Sequence, residues 1–91
     1  MYRVTASCEG ITPIDWPNAL ADVAAEFASR EWHQLVDCRW EGSTLLLVAD
    51  NDYDDDGEAL ADEYSDTVAA YAPGTPGYRI RIVSVSTLGG V

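Results

Sequence analysis

The run Leu45-Leu46-Leu47-Val48-Ala49 is apolar on both phases of an extended chain. A half-buried strand alternates apolar with polar residues, whereas a strand apolar on both phases needs cover, complete or partial, on both faces. Residues 44–49 are therefore predicted to form a central strand. A chain of 91 residues has room for one core and two layers of secondary structure, so a single domain over 1–91 is expected. The remaining segments must supply the flanking strands and the covering helices.

They do so in a readable order. Residues 2–8 alternate with period two, placing Tyr2, Val4, Ala6 and Cys8 on one face and Arg3, Thr5 and Ser7 on the other. Asp15 is a candidate cap and Pro17 a first-turn residue for a helix running to about Arg30, with Trp16, Leu20, Val23, Ala24 and Phe27 as its apolar stripe. Val36, Cys38 and Trp40 alternate with Asp37 and Arg39 in a strand over 33–40, and Glu41-Gly42-Ser43 turns it back as a hairpin into the central strand. A second helix over 58–71 carries Leu60, Tyr64, Val68 and Tyr71, and Pro73-Gly74-Thr75-Pro76-Gly77 stops it. The last strand, 78–87, changes phase between Ile82 and Val83, which predicts a bulge. Leu88-Gly89-Gly90-Val91 reads as a flexible tail. The order is β-α-β-β-α-β. Right-handed crossovers then give an antiparallel sheet in the order 4-1-3-2 with two helices on one face, the ferredoxin-like arrangement.

Function is constrained by charge. The chain holds 16 Asp and Glu against five Arg and no Lys, a net charge of −11. Nine of those acids fall within 50–66, and no basic residue lies between Arg39 and Arg79. An acidic loop followed by an acidic helix, 50–71, is the feature to be explained. Direct binding to nucleic acid or to an anionic membrane is disfavoured. No apolar run is long enough to span a bilayer, and the N-terminal residues lack the charged and apolar regions of a signal peptide, so a cytoplasmic location is expected.

Several activities require residues that this sequence lacks. Cys8 and Cys38 with the single His33 fall short of a zinc site, and both thiols are expected to be free. No nucleophile sits beside an activating base, and neither a P-loop nor a dinucleotide fingerprint occurs, so no catalytic residue and no cofactor are assigned. Asp52-x-Asp54-x-Asp56-Gly57 followed by Glu63 matches the spacing of a calcium-binding EF-hand loop. However, a strand precedes it where an entering helix belongs, and Ala59 stands where a bulky aliphatic is usual. No metal site is assigned, although a module binding a cation or ligand through this loop is an alternative reading.

Acids at a helix start can cap it, but Asp66 and the i,i+4 series Glu58–Asp62–Asp66 bring repulsion of about 0.2–0.5 kcal/mol per pair and no structural gain. Such charge suits a basic partner. The expected contact residues are Asp52, Asp54, Asp55, Asp56, Glu58, Asp62 and Asp66, joined by Asp22 and Glu26 on the first helix. In charge and size alone, the chain resembles phage inhibitors such as anti-CRISPR proteins and the immunity proteins of nuclease toxins. The expected partner is a basic protein, a nucleic-acid-binding enzyme or a defence complex. Arg3, Arg79 and Arg81 share the sheet face opposite the core, where an anion or a homodimer contact is a further possibility.

Overall fold

The computed structural model describes residues 1–71 and 77–88. Among the described residues six elements follow one another: β1 (Tyr2–Glu9), α1 (Ala19–Ala28), β2 (Leu35–Glu41), β3 (Thr44–Asn51), α2 (Glu58–Tyr71) and β4 (Arg79–Thr87). The chain is an α+β protein whose four strands form one antiparallel sheet in the order β2-β3-β1-β4. That is the predicted order read from the other edge. Among the described residues, no helix is long and apolar enough to cross a membrane.

The apolar run is interior to the sheet, with β3 paired to β2 on one side and to β1 on the other. Leu45, Leu47 and Ala49 join Val4, Ala6 and Cys8 in the core, beneath Val23 and Phe27 of α1 and Leu60, Tyr64 and Val68 of α2. Both helices therefore cover the same face. The opposite phase, Leu46 and Val48, faces the open side, where Leu46 is nonetheless buried between neighbouring strands. Tyr64 brings a polar atom into the core, and its hydroxyl donates to the Leu45 carbonyl at 2.8 Å. That bond offsets the cost of burying the phenol, whose pKa burial drives upward.

Cys8 pairs in register with Leu45 and Cys38 with Leu47, so the two cysteines stand on strands separated by β3. Strands two apart lie about 9–10 Å from each other, beyond disulfide reach. Both thiols are free, and burial pushes Cys8 up to about 11 and Cys38 up to about 12.

Four expectations need correction. The first helix begins at Ala19 because Thr12 and Asp15 close a separate turn, with Trp16 N–H donating to the Thr12 carbonyl at 3.0 Å. Within it, Ala19 rather than Leu20 faces the core, and Leu20 is 37% exposed. Tyr71 lies on the surface, stacked on Trp16 at 5.7 Å between ring centroids. Of the acids of α1, Glu26 occupies the seam between the helices and Asp22 holds the Trp16 indole, as described below. The predicted bulge is present: β1 moves from Thr5 opposite Ser84 to Ala6 opposite Ile82, leaving Val83 as the extra residue. The proline-rich stop at residues 73–76 and the Gly89-Gly90-Val91 tail lie outside the described residues.

Gly57, immediately before α2, fixes how that helix meets the sheet. Its φ is +81°, and a Cβ there would stand 2.8 Å from Ile82 Cγ2, 3.2 Å from Val85 Cγ2 and 3.3 Å from Val4 Cγ1. Both the backbone and the packing demand glycine. Gly57→Ala should lower the free energy of unfolding in urea by roughly 2 kcal/mol or more. A loss below about 0.5 kcal/mol would mean that α2 shifts freely on the sheet.

Candidate functional site

The acidic loop is built around one buried amide. Asn51, at the end of β3, is fully buried, and its side-chain oxygen accepts from the backbone N–H of Tyr53 at 3.2 Å and of Asp54 at 2.8 Å. This turn carries Asp54 inward, where it is 3% exposed. The Asp54 carboxylate then accepts from the N–H of Ala59 at 3.2 Å and of Leu60 at 2.9 Å, two donors that the first turn of α2 otherwise leaves without partners. Asp56 accepts from the Glu58 N–H at 3.0 Å. Negative charge at this end of α2 also suits the helix macrodipole.

The predicted contact residues therefore divide. Asp54 is withdrawn from the surface and serves as a cap. Asp52, Asp55, Asp56, Glu58, Asp62 and Asp66 are exposed, and among the described residues none of the six has an ion-pair partner. Glu58, Asp62 and Asp66 follow one another along α2 at about 6 Å of rise per step.

Asp22 and Glu26 do not extend that row. Asp22 accepts from the Trp16 indole at 2.7 Å. Glu26 pairs with Arg30 at 3.1 Å and lies 3.5 Å from the Tyr71 hydroxyl on α2. Arg30 in turn donates to Glu63 of α2 at 2.8 Å. Glu26 and Arg30 thus tie the end of α1 to α2, while Asp22 holds Trp16, which stacks on Tyr71. Charge on an isolated helical wheel looks solvated, whereas two helices side by side turn part of each polar face into a seam.

Glu63 is the centre of that seam. One carboxylate oxygen accepts from Arg30 and from the Trp32 indole, the latter at 3.0 Å, and the other lies 3.4 Å from His33 Nε2. The His33 side chain is fully buried beside Phe27 and Trp32, and neither ring nitrogen has a hydrogen-bond partner among the described residues. Burial lowers the His33 pKa below its ordinary value, with Arg30 acting in the same direction and Glu63 and Asp54 opposing. In the EF-hand spacing, Glu63 is the bidentate ligand and Asp54 a second one. Here both carboxylates are engaged by the protein's own donors.

The open sheet face balances its charges locally. Arg3 makes a two-pronged pair with Asp50, both bonds 2.9 Å, because β1–β3 register sets them opposite one another. Arg39 lies 3.8 Å from Glu41, and Arg81 lies 3.9 Å from Glu9. A shallow hollow of about 600 Å³ lies on this face, lined by both charge signs: Arg3, Arg39 and Asp37, with Leu35 and Val48. The sequence reading leaves Arg3 open to an anion or a homodimer contact and does not identify Asp50 as its partner. Extending the central strand by two residues would have revealed it. The organising role of Asn51 was also missed, although an Asn three residues before an Asp, ahead of a glycine and a helix, is a legible turn signal.

No family model, curated protein or solved structure matches the chain.

Two consequences can be measured. Asp54→Ala removes two cap bonds and should cost about 1–2 kcal/mol of stability, while substitutions at Asp52 or Asp55 should stay within about 0.5 kcal/mol of the native protein. Equal losses at all three would contradict the division between buried and exposed acids. His33 in the fold has a pKa below that of the unfolded chain, so the unfolded chain protonates first. Its stabilising contribution is present above about pH 6.5 and is lost as pH falls below that value. The stability of the native protein relative to His33→Phe should therefore decline from pH 7.5 to pH 5.5 in urea titrations. A rise would show that attraction to Glu63 outweighs burial.

Proposed function

We propose that this chain is a ferredoxin-like, non-catalytic binding protein of the cytoplasm that occupies a basic, nucleic-acid-binding surface of a partner protein. The partner class is an enzyme or defence complex that handles nucleic acid. One observation carries the reading: six carboxylates on the loop and on α2 are exposed and without an ion-pair partner among the described residues, whereas four of the five arginines, Arg3, Arg30, Arg39 and Arg81, stand beside acids elsewhere, and Arg79 lines a hollow shared with Glu58 and Asp62. The α2 row presents one charge per about 6 Å, the same order as the spacing along a nucleic-acid strand. Two free thiols on non-adjacent strands fit a reducing compartment. The antiparallel order with both helices on one face is what the ferredoxin-like arrangement requires.

The test is a four-fold neutralisation, Asp55→Asn, Glu58→Gln, Asp62→Asn and Asp66→Asn, which leaves Asp54 and Asp56 in place as caps. Relief of two i,i+4 repulsions and loss of a favourable charge at the helix start oppose each other, so stability should change by no more than about 1 kcal/mol. Partner captured from the source cell by the native protein should be released by added nucleic acid and by rising salt, and the neutralised variant should not capture it. Undiminished capture by the variant, or binding that ignores salt, would refute the reading and direct attention to the open sheet face.

A further inference from the structure

Among the described residues, β4 is an edge of the sheet and pairs with β1 on one side only. Along its free side runs a groove of about 640 Å³ whose other wall is α2. Glu58, Ala61, Asp62 and Ser65 form that wall, and Tyr78, Ile80 and Ile82 form the strand side. The four helix residues are spaced i, i+3, i+4 and i+7, one continuous stripe along α2. Its two small members, Ala61 between the two carboxylates and Ser65 beyond them, leave room for another chain to approach.

The relative direction of the two walls is fixed by two contacts. The Ser65 and Tyr78 hydroxyls are 3.3 Å apart at one end, and the Ile82 side chain lies over the Gly57 position at the other. The helix therefore runs antiparallel to β4 along the groove. Four residues of helix rise about 6 Å, and two residues of strand rise about 6.6–6.8 Å. A chain extended beside β4 would place every second side chain under α2 at nearly the spacing of Glu58 and Asp62. Arg79 lines the groove at its Tyr78 end, so the strongest attraction for positive charge lies toward Ile82.

We infer that the α2–β4 groove docks an extended basic segment of the partner as a fifth strand, with Lys or Arg at alternate positions meeting Asp62 and Glu58. This rests on the proposed function and names the partner element that the acidic face would grip. Main-chain hydrogen bonds to the free edge supply affinity, and alternate side chains supply selectivity. The bulge at Val83 interrupts the regular edge immediately past Ile82 and so confines pairing to the stretch beside the groove.

The probe is a synthetic, fluorescein-labelled peptide in which Lys alternates with Val and Thr, binding the full chain. A permuted peptide of identical composition with its lysines contiguous is the control. Two further peptides carry backbone N-methyl groups on alternate residues, one on each phase. The alternating peptide should bind on the order of tenfold more tightly than the permuted one. Methylation on one phase should weaken it by a similar factor, and methylation on the other should leave it unchanged, because only alternate amides of an added strand face β4. Amide exchange should slow along residues 79–82. Ala61→Trp, which fills the groove and keeps every acid, should weaken binding with the native circular dichroism retained. If the permuted and both methylated peptides bind as well as the alternating one, still in a salt-sensitive manner, strand addition is wrong while the acidic-face reading survives. If the alternating peptide binds without sensitivity to salt or to the four-fold neutralisation, the acidic-face reading itself fails.

Discussion

The buried Asn51 amide is the constraint on which the acidic surface depends. It ends the central strand by taking two backbone donors of the following turn, which places Asp54 beneath the first turn of α2. Asp54 caps the helix, and Gly57 lets it close on Val4, Ile82 and Val85. The direction of α2, and with it the line of Glu58, Asp62 and Asp66, is thereby set by backbone hydrogen bonds. Asp62 and Asp66 make no hydrogen bond or ion pair of their own that fixes this line among the described residues. A neutral cap at Asn51 is well suited to this job, because it orders the turn without adding a further charge to a site already crowded with like ones.

Segregation of charge follows from that arrangement. Four of the five arginines stand beside acids away from the α2 row: Arg3 with Asp50, Arg30 with Glu26 and Glu63, Arg39 with Glu41, and Arg81 with Glu9. The excess negative charge therefore accumulates on one flank. Its cost in repulsion, about 1 kcal/mol along α2, is small beside the 5–15 kcal/mol typical of a folded domain. A fold can carry such a flank, whose only internal return is at the start of α2, where Asp56 and Glu58 suit the helix end.

Much of this architecture was legible from periodicity. The doubly apolar run at Leu45–Ala49 required a central strand, the phase change at Ile82 and Val83 marked the bulge, and the bounds of α2 were read as they stand. These signals are local and belong to backbone period or to burial on two faces. What escaped was relational. Asp22 and Glu26 of α1 and Arg30 just beyond it recur at every fourth position, but no pattern within that segment says that Glu63 and Tyr71 of α2 lie opposite. Asp54 carries the same side chain as Asp55 and differs only in falling three residues after Asn51, where the turn points it inward. Trp16 was assigned to the helical stripe and is indeed buried, yet it reaches the core from the turn before α1.

The division of the acids also bears on why the proposed reading takes a shaped partner over a simple cation. An EF-hand-like site needs carboxylates free to converge on one ion, yet Asp54 is held by Ala59 and Leu60, Asp56 by Glu58, and Glu63 by Arg30 and Trp32. The acids left free point outward along a helix instead of inward around a point. A linear array attracts any polycation over roughly a Debye length and so gives on-rate more than selectivity. Selectivity has to come from a feature with direction, and the neighbouring β4 edge has one, because backbone donors and acceptors fix both the register and the spacing of whatever pairs with it. In the proposed reading, charge on α2 and the edge of β4 are thus complementary: one would gather a basic chain, and the other would hold only a chain that is extended.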